Sequence, residues 1–181
     1  MTANPNTPCG FRAIRNVAGT APLIKHYDGS ATVNVFVGAP VGFNSTYQIT
    51  NWTTTIGLGG IVGVAVHARK TTDTNRDVAV YVGRDQEYEV QLDTGATVPV
   101  TLATLLDTPN YVILTPAAGN ATTLQSTAQI DASSGNTTVG TLLQVFRVYG
   151  FSPIVGQDDT GTNARVVGKF VDEALFFEKT V

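Results

Sequence analysis

The stretch from Val78 to Gly95, VAVYVGRDQEYEVQLDTG, restricts the fold more than any other part of the chain. Val78, Val80 and Val82 recur at every second position before a short break, and Tyr88, Val90 and Leu92 do the same after it. A period of two marks strands with one apolar face, and Gly83 to Gln86 supplies turn chemistry between them. The stretch therefore reads as two strands and a tight connection. In the second strand the other face carries Glu87, Glu89, Gln91 and Asp93, which seek water or a polar partner.

The rest of the chain reads as further strands and loops around this pair. Leu23 to Tyr27, Ala31 to Val37, Val41 to Trp52 and Tyr111 to Leu114 are strand candidates, punctuated by Gly29, Gly38 and Pro40. Ile61 to His67, IVGVAVH, is apolar on both faces and reads as a central, doubly covered strand. The alternation puts Val62, Val64 and Val66 on one face and Ile61, Gly63 and Ala65 on the other, with Gly63 letting a neighbouring backbone come close. Ala68 to Asp77 is the most polar segment and reads as an exposed loop. Leu142 to Tyr149 has large apolar groups on both faces, Phe146 and Val148 against Leu143, Val145 and Tyr149, and Arg165 to Val171 closes the domain. The best helical signal is Thr101 to Leu106, with Thr97 to cap and Pro99 in the first turn. Ala117 to Asn136 has only Leu124 and Ile130 to bury and reads as a long excursion.

At the start, residues 1–8 have two prolines and no periodicity, as in an extended arm. In Gly10 to Val17, Phe11, Ala13 and Val17 offer anchors and Arg12 and Arg15 offer charge, as a docking arm would; the same residues also suit a first edge strand of the domain's own sheet. The expected class is all-β: an antiparallel β-barrel or sandwich with an arm over residues 1–20, one domain over residues 21–181, and at most one or two short helices.

A chain of 181 residues is long enough for one substantial core. Its 14% charged content is low against the roughly 25% of an average soluble domain. Such a surface suits a protein packed against other protein, and equally a sandwich with uncharged polar loops. The net charge of −3, with 11 scattered Lys and Arg, argues against a nucleic-acid partner. Cys9 is the only cysteine, so an intrachain disulfide and a multi-cysteine metal site are both excluded. The start lacks the apolar run of a signal peptide, and no stretch has the length of a membrane helix, so synthesis in a cytoplasm without membrane association is expected.

Candidate chemistry is thin. His26 and His67 have no ligand spacing around them, so no metal or other cofactor is expected. Glu87 and Glu89 share a strand face about 7 Å apart, which superficially suits a two-carboxylate hydrolase. Two acidic residues on a solvated face are also the ordinary outcome of alternation. Asp158, Asp159, Gly161 and Asn163 do not match a calcium loop, and no nucleophile elbow is present. A non-enzymatic role is expected.

Three motifs occur in order: GFRAIR at Gly10 to Arg15, DQEYEVQLDTG at Asp85 to Gly95, and LQVFRVYGFSPIVGQDDTGTNARVVGKFVDEAL at Leu143 to Leu175. Together they resemble a family of tailed-phage head proteins, usually encoded beside the major capsid protein, that act as capsid cement or decoration proteins. In that family the start resembles GFRPVR, the middle DPDQ-FEVQ-D, and the end GANARWLV before a closing strand. Gly161 to Val167 stands in the last place here, with Thr162 where Ala is usual. The resemblance implies a β-barrel-like domain with an arm, made in a bacterial cytoplasm and bound outside the phage head. The implied partners are the major capsid protein and further copies of the chain, as dimer or trimer. On that reading Phe11, Arg12, Ile14 and Arg15 would touch the shell, and Leu143, Val145, Arg147 and Tyr149 would serve self-association. A carbohydrate- or receptor-binding barrel on the virion surface is the alternative, using an aromatic such as Trp52 or Tyr47.

Overall fold

The computed structural model describes residues 8–16, 19–53, 60–93, 110–117, 119–136, 144–152 and 163–176. Strands in these residues are β1 (Arg12–Asn16), β2 (Leu23–Asp28), β3 (Pro40–Phe43), β4 (Ile49–Asn51), β5 (Ile61–Ala65), β6 (Asp77–Val82), β7 (Gln86–Gln91), β8 (Asn110–Thr115), β9 (Gln129–Asn136), β10 (Gln144–Phe151) and β11 (Arg165–Phe170). They form two antiparallel sheets, one in the order β1-β7-β11-β10-β8-β9 and one in the order β2-β6-β5-β3-β4. No ladder closes either sheet, although single bridges link Gly29 to Ile49 and Leu92 to Ile130, so the all-β architecture is a sandwich and not a closed barrel. A single 3-10 turn, Asp172–Ala174, is the helical element among the described residues. The helical signal at Thr101 to Leu106 and residues 1–7, 17 and 18 of the arm lie outside them.

The stretch that frames the sequence does hold two strands, but they do not pair with each other. β6 pairs with β2 and β5, whereas β7 pairs with β1 and β11. The turn at Gly83, whose φ of 131° suits glycine, hands the chain from one sheet to the other.

The main core lies between the sheets. Ile61 and Val64 from the five-stranded sheet meet Tyr88, Val90, Val112, Phe146, Val166 and Phe170 from the six-stranded one. A second cluster sits on the opposite face of the five-stranded sheet, where Val41, Ile49, Val62, Ala65, Val78 and Val80 are capped by Val35. This double cover is why β5 is buried at every position. Its faces depart from strict alternation: Ile61 goes with Val64, and Val62 with Ala65. The cause is an irregularity against β3, where Val41 faces Gly63 but Gly42 faces Ile61. Gly63 has the expected close approach, since a Cβ there would stand 1.9 Å from the Tyr81 carbonyl oxygen.

Three expectations are corrected. Ala31 to Val37 is not a strand; its β-pairing is limited to single bridges from Val35 to Arg69 and from Val37 to Gln125. Arg69, expected in an exposed loop, is buried, and its guanidinium Nη1 donates to the Ser30 carbonyl. Part of the expected excursion over Ala117 to Asn136 is the edge strand β9, which pairs with β8. Most of its sequence is polar and small, but Ile130 is fully buried in the main core.

Candidate interaction surfaces

Phe11 is 3% exposed, and its ring centroid lies 5.3 Å from Phe146, 5.1 Å from Phe170 and 6.2 Å from Tyr88. It is a core residue and does not present itself to a shell. The segment Arg12 to Asn16 is the edge strand β1 of the domain's own sheet, the other reading that the sequence allowed. Hydrophobicity marked Phe11 as an anchor, but only the packing says that the anchor is internal. Arg12, Ile14 and Arg15 are exposed, with Ile14 pushed outward where the register with β7 slips between Ala13 and Arg15.

Around this strand lies a shallow hollow of about 380 Å³ lined by Arg12, Ile14, Arg15, Glu87, Glu89 and Ser152 among others. Arg15 Nε donates to Glu87 Oε2 at 2.9 Å, and Arg165 Nη1 donates to Glu89 Oε1 at 2.8 Å. Ser152 Oγ donates to the other Glu89 oxygen. Burial pushes the Glu89 carboxyl up. Hydrogen bonds from Ser152 and Arg165, with the charges of Arg165 and Arg12, outweigh burial and hold it below the usual range. Glu89 is thus fixed as an anion, the opposite of what a general acid requires. Gln86, expected in the turn, starts β7 and is buried; its Nε2 donates to the carbonyls of Arg15 and Glu87.

The proposed self-association residues separate. Leu143 lies outside the described residues. Val145 is fully buried, because a register slip between Gln144 and Phe146 turns it into the core beside Phe146. Arg147 and Tyr149 stay half-exposed on the outer face, with the guanidinium carbon 5.5 Å from the Tyr149 ring centroid. Burial raises the Tyr149 phenol above its ordinary range despite the nearby cations Lys169 and Arg147.

A surface that the sequence did not reveal lies on the outer face of the five-stranded sheet. The Phe43 ring stands 5.6 Å from Tyr27, 5.2 Å from Phe176 and 6.5 Å from Tyr47. Leu23, Lys25, Val62 and Val82 complete a groove of about 190 Å³ with Tyr27, Phe43 and Phe176. Leu23 is 56% and Tyr47 78% exposed. Tyr47 sits at the tip of the β3–β4 hairpin with φ 58°, in a turn held by Asn44 Oδ1, which accepts from the backbone N–H groups of Thr46 and Gln48. The strand from Leu23 to Tyr27 was the legible part of this surface. Phe43, Tyr47 and Phe176 join it only through the fold. Trp52, unlike Tyr47, is buried at 2% exposure.

His26 pairs with Asp77 and His67 with the Asp77 carbonyl, and among the described residues no cluster of three metal-ligating side chains occurs. No helix among them is long and apolar enough to cross a membrane. The chain matches no protein-family model, and no curated protein matches it.

Proposed function

We propose that this chain is a virion structural protein, a cement or decoration protein that binds the outside of a tailed-phage head and stabilises it across subunit boundaries. The observation that carries the reading is the aromatic groove of Leu23, Tyr27, Phe43 and Phe176, with exposed Tyr47 beside Phe43, on a chain with few charged residues. Aromatic residues are enriched where proteins meet. The order of the three sequence motifs supports it independently.

Cementing needs surface rather than a reactive centre. Each copy that spans a boundary adds an interface to be broken before the shell parts, and many copies multiply a modest contact energy. The major capsid protein occupies the groove, and Ile14, Arg12 and Arg15 offer a second contact along β1. Arg147 and Tyr149 are the accessible residues for contact between copies, as dimers or trimers.

The test is co-sedimentation with expanded, undecorated heads, followed by heating with and without the protein. Saturable binding that raises the temperature of DNA release is expected, and absence of binding sinks the reading. Leu23→Glu and Tyr47→Ser alter exposed side chains, so they should leave thermal unfolding unchanged and weaken head binding at least about tenfold, the effect of losing a contact of about 1.4 kcal/mol. Unchanged binding by both variants would move the shell contact away from the groove.

A further inference from the structure

β2 is an edge strand, and the parity of its hydrogen bonds tells which backbone groups that edge exposes. The Val66 N–H, just past β5, donates to the Ala79 carbonyl, so Ala79 and Tyr81 turn their backbone groups toward β5. Val78, Val80 and Val82 therefore turn theirs toward β2, where they face Tyr27, Lys25 and Leu23. Ile24 and His26 are left with N–H and C=O pointing away from the sheet. The continuation of the strand agrees: Gly29 N–H donates to the Arg76 carbonyl beside β6, whereas Ser30 N–H donates on the other side to the Ile49 carbonyl of β4. Among the described residues nothing bonds the outward backbone groups of Ile24 and His26.

The open stretch of this edge has two limits. Beyond His26 the chain covers it itself, since Gln48 Nε2 donates to Asp28 Oδ2 and Ser30 reaches Ile49. Before Pro22 the chain turns back to β1, where the Thr20 carbonyl accepts from the Asn16 N–H. What remains is Pro22 to His26, centred on Ile24. No bulge interrupts the register of β2 with β6, and Leu23 and Ile24 expose aliphatic surface on both faces of the strand.

A row of outward N–H and C=O groups on a regular strand is complementary to another extended backbone. A two-fold axis at Ile24 lays the open stretch antiparallel against its own copy with full overlap. It sets Ile24 opposite the partner's Ile24 and Leu23 opposite the partner's Lys25, which covers aliphatic surface and keeps the two ammonium groups apart. An axis at Lys25 would set the ammonium groups face to face. An axis at His26 would drive the partner's Leu23 onto Gly29, where Ile49 already lies.

We propose that the chain pairs with a second copy of itself through β2, joining two five-stranded sheets into one continuous sheet. An isologous contact of this kind closes at two copies, so it selects the dimer over the trimer. It lies on the sheet that does not carry Arg147 and Tyr149, and it stands whether or not the protein docks on a shell.

The test is sedimentation equilibrium of the full chain alone. A monomer–dimer equilibrium with half-dissociation below about 100 µM is expected. Ile24→Pro removes an outward N–H that the ladder with β6 does not use, so it should keep the thermal midpoint and weaken the dimer at least about tenfold. Ile24→Lys and Ile24→Glu alter only an exposed side chain and decide the matter should the proline variant lose its midpoint. Each alone should be monomeric, whereas their mixture should dimerise, because a two-fold at Ile24 sets the opposite charges face to face. The proposal is overturned by a monomer or a trimer at every concentration, by a folded Ile24→Pro protein that dimerises at full strength, or by a mixture as monomeric as its parts.

Discussion

Phe11 and Ile14 are three positions apart and have opposite fates. Phe11 completes a four-ring cluster with Tyr88, Phe146 and Phe170, whereas Ile14 sits on the outside at 42% exposure. Phe11→Ala should cost about 3–5 kcal/mol in urea unfolding, the range for emptying a large aromatic site. Ile14→Ser should stay within about 0.5 kcal/mol, as surface changes do. A near-neutral Phe11→Ala would mean that the ring leaves the core in solution. Gly63 is the second sensitive position, since an added methyl group meets the Tyr81 carbonyl carbon at 3.0 Å and the oxygen closer still. Gly63→Ala should lower stability by at least about 1–3 kcal/mol, because the backbone of β6 cannot move aside as a flexible side chain can.

At the scale of elements, β7 is held on both sides by charge as well as by its ladder. Arg15 reaches it from β1 and Arg165 from β11, and the two carboxylates are each only 12% exposed. The folded-state pKa of Glu89 is depressed below its ordinary value of 4.5. Its stabilising contribution is therefore fully present above the unfolded-state value and is lost as pH falls through the folded-state value. Acid unfolding should accordingly steepen as pH falls below the ordinary value of 4.5, and Glu89→Gln should flatten that dependence while lowering stability at pH 7. A variant with an unchanged acid profile would show that the pair is not coupled to folding. Deletion through Asn16 removes β1 and Phe11 together, so it tests the fold rather than docking. Substitutions at Ile14 or Arg15 separate the two.

For the whole molecule, the five-stranded sheet is shared by two apolar clusters. Val64 faces the inter-sheet core and Val80 the outer cluster, although the strands bearing them are adjacent. The two clusters should therefore unfold together. Val64→Ala and Val80→Ala, each costing about 2 kcal/mol, should each lower one common transition followed by Trp52 fluorescence and far-ultraviolet circular dichroism. Two separated transitions would show that the outer cluster is an independent unit. The aromatic groove is the exposed margin of that outer cluster, which shares Val62 and Val82 with it. Docking on the groove should raise the stability of the whole sandwich, not of one sheet alone.

Strand identity was written in the sequence wherever apolar residues alternate, as at Val78 to Val82, Tyr88 to Val90 and Arg165 to Phe170, because side-chain period is a local property of the backbone. The all-β class followed from the same signal, and the close approach at Gly63 from a lone glycine in an apolar run. Partner choice was not written there. β7 bonds through Glu87 and Glu89 to residues 72 and 76 positions away, and nothing in the neighbourhood of either carboxylate names its arginine. The slips beside Val41, Ala13 and Phe146 were equally hidden, since a bulge depends on two strands at once; those beside Val41 and Phe146 moved residues to the face opposite their expected one, whereas Ile14 and Arg15 stay exposed. Burial of Phe11, Val145, Arg69 and Trp52, and the gathering of Tyr27, Phe43 and Phe176 into one groove, were decided only by tertiary structure. Exposure is set by what the rest of the chain stacks upon a residue, and period alone carries no information about that.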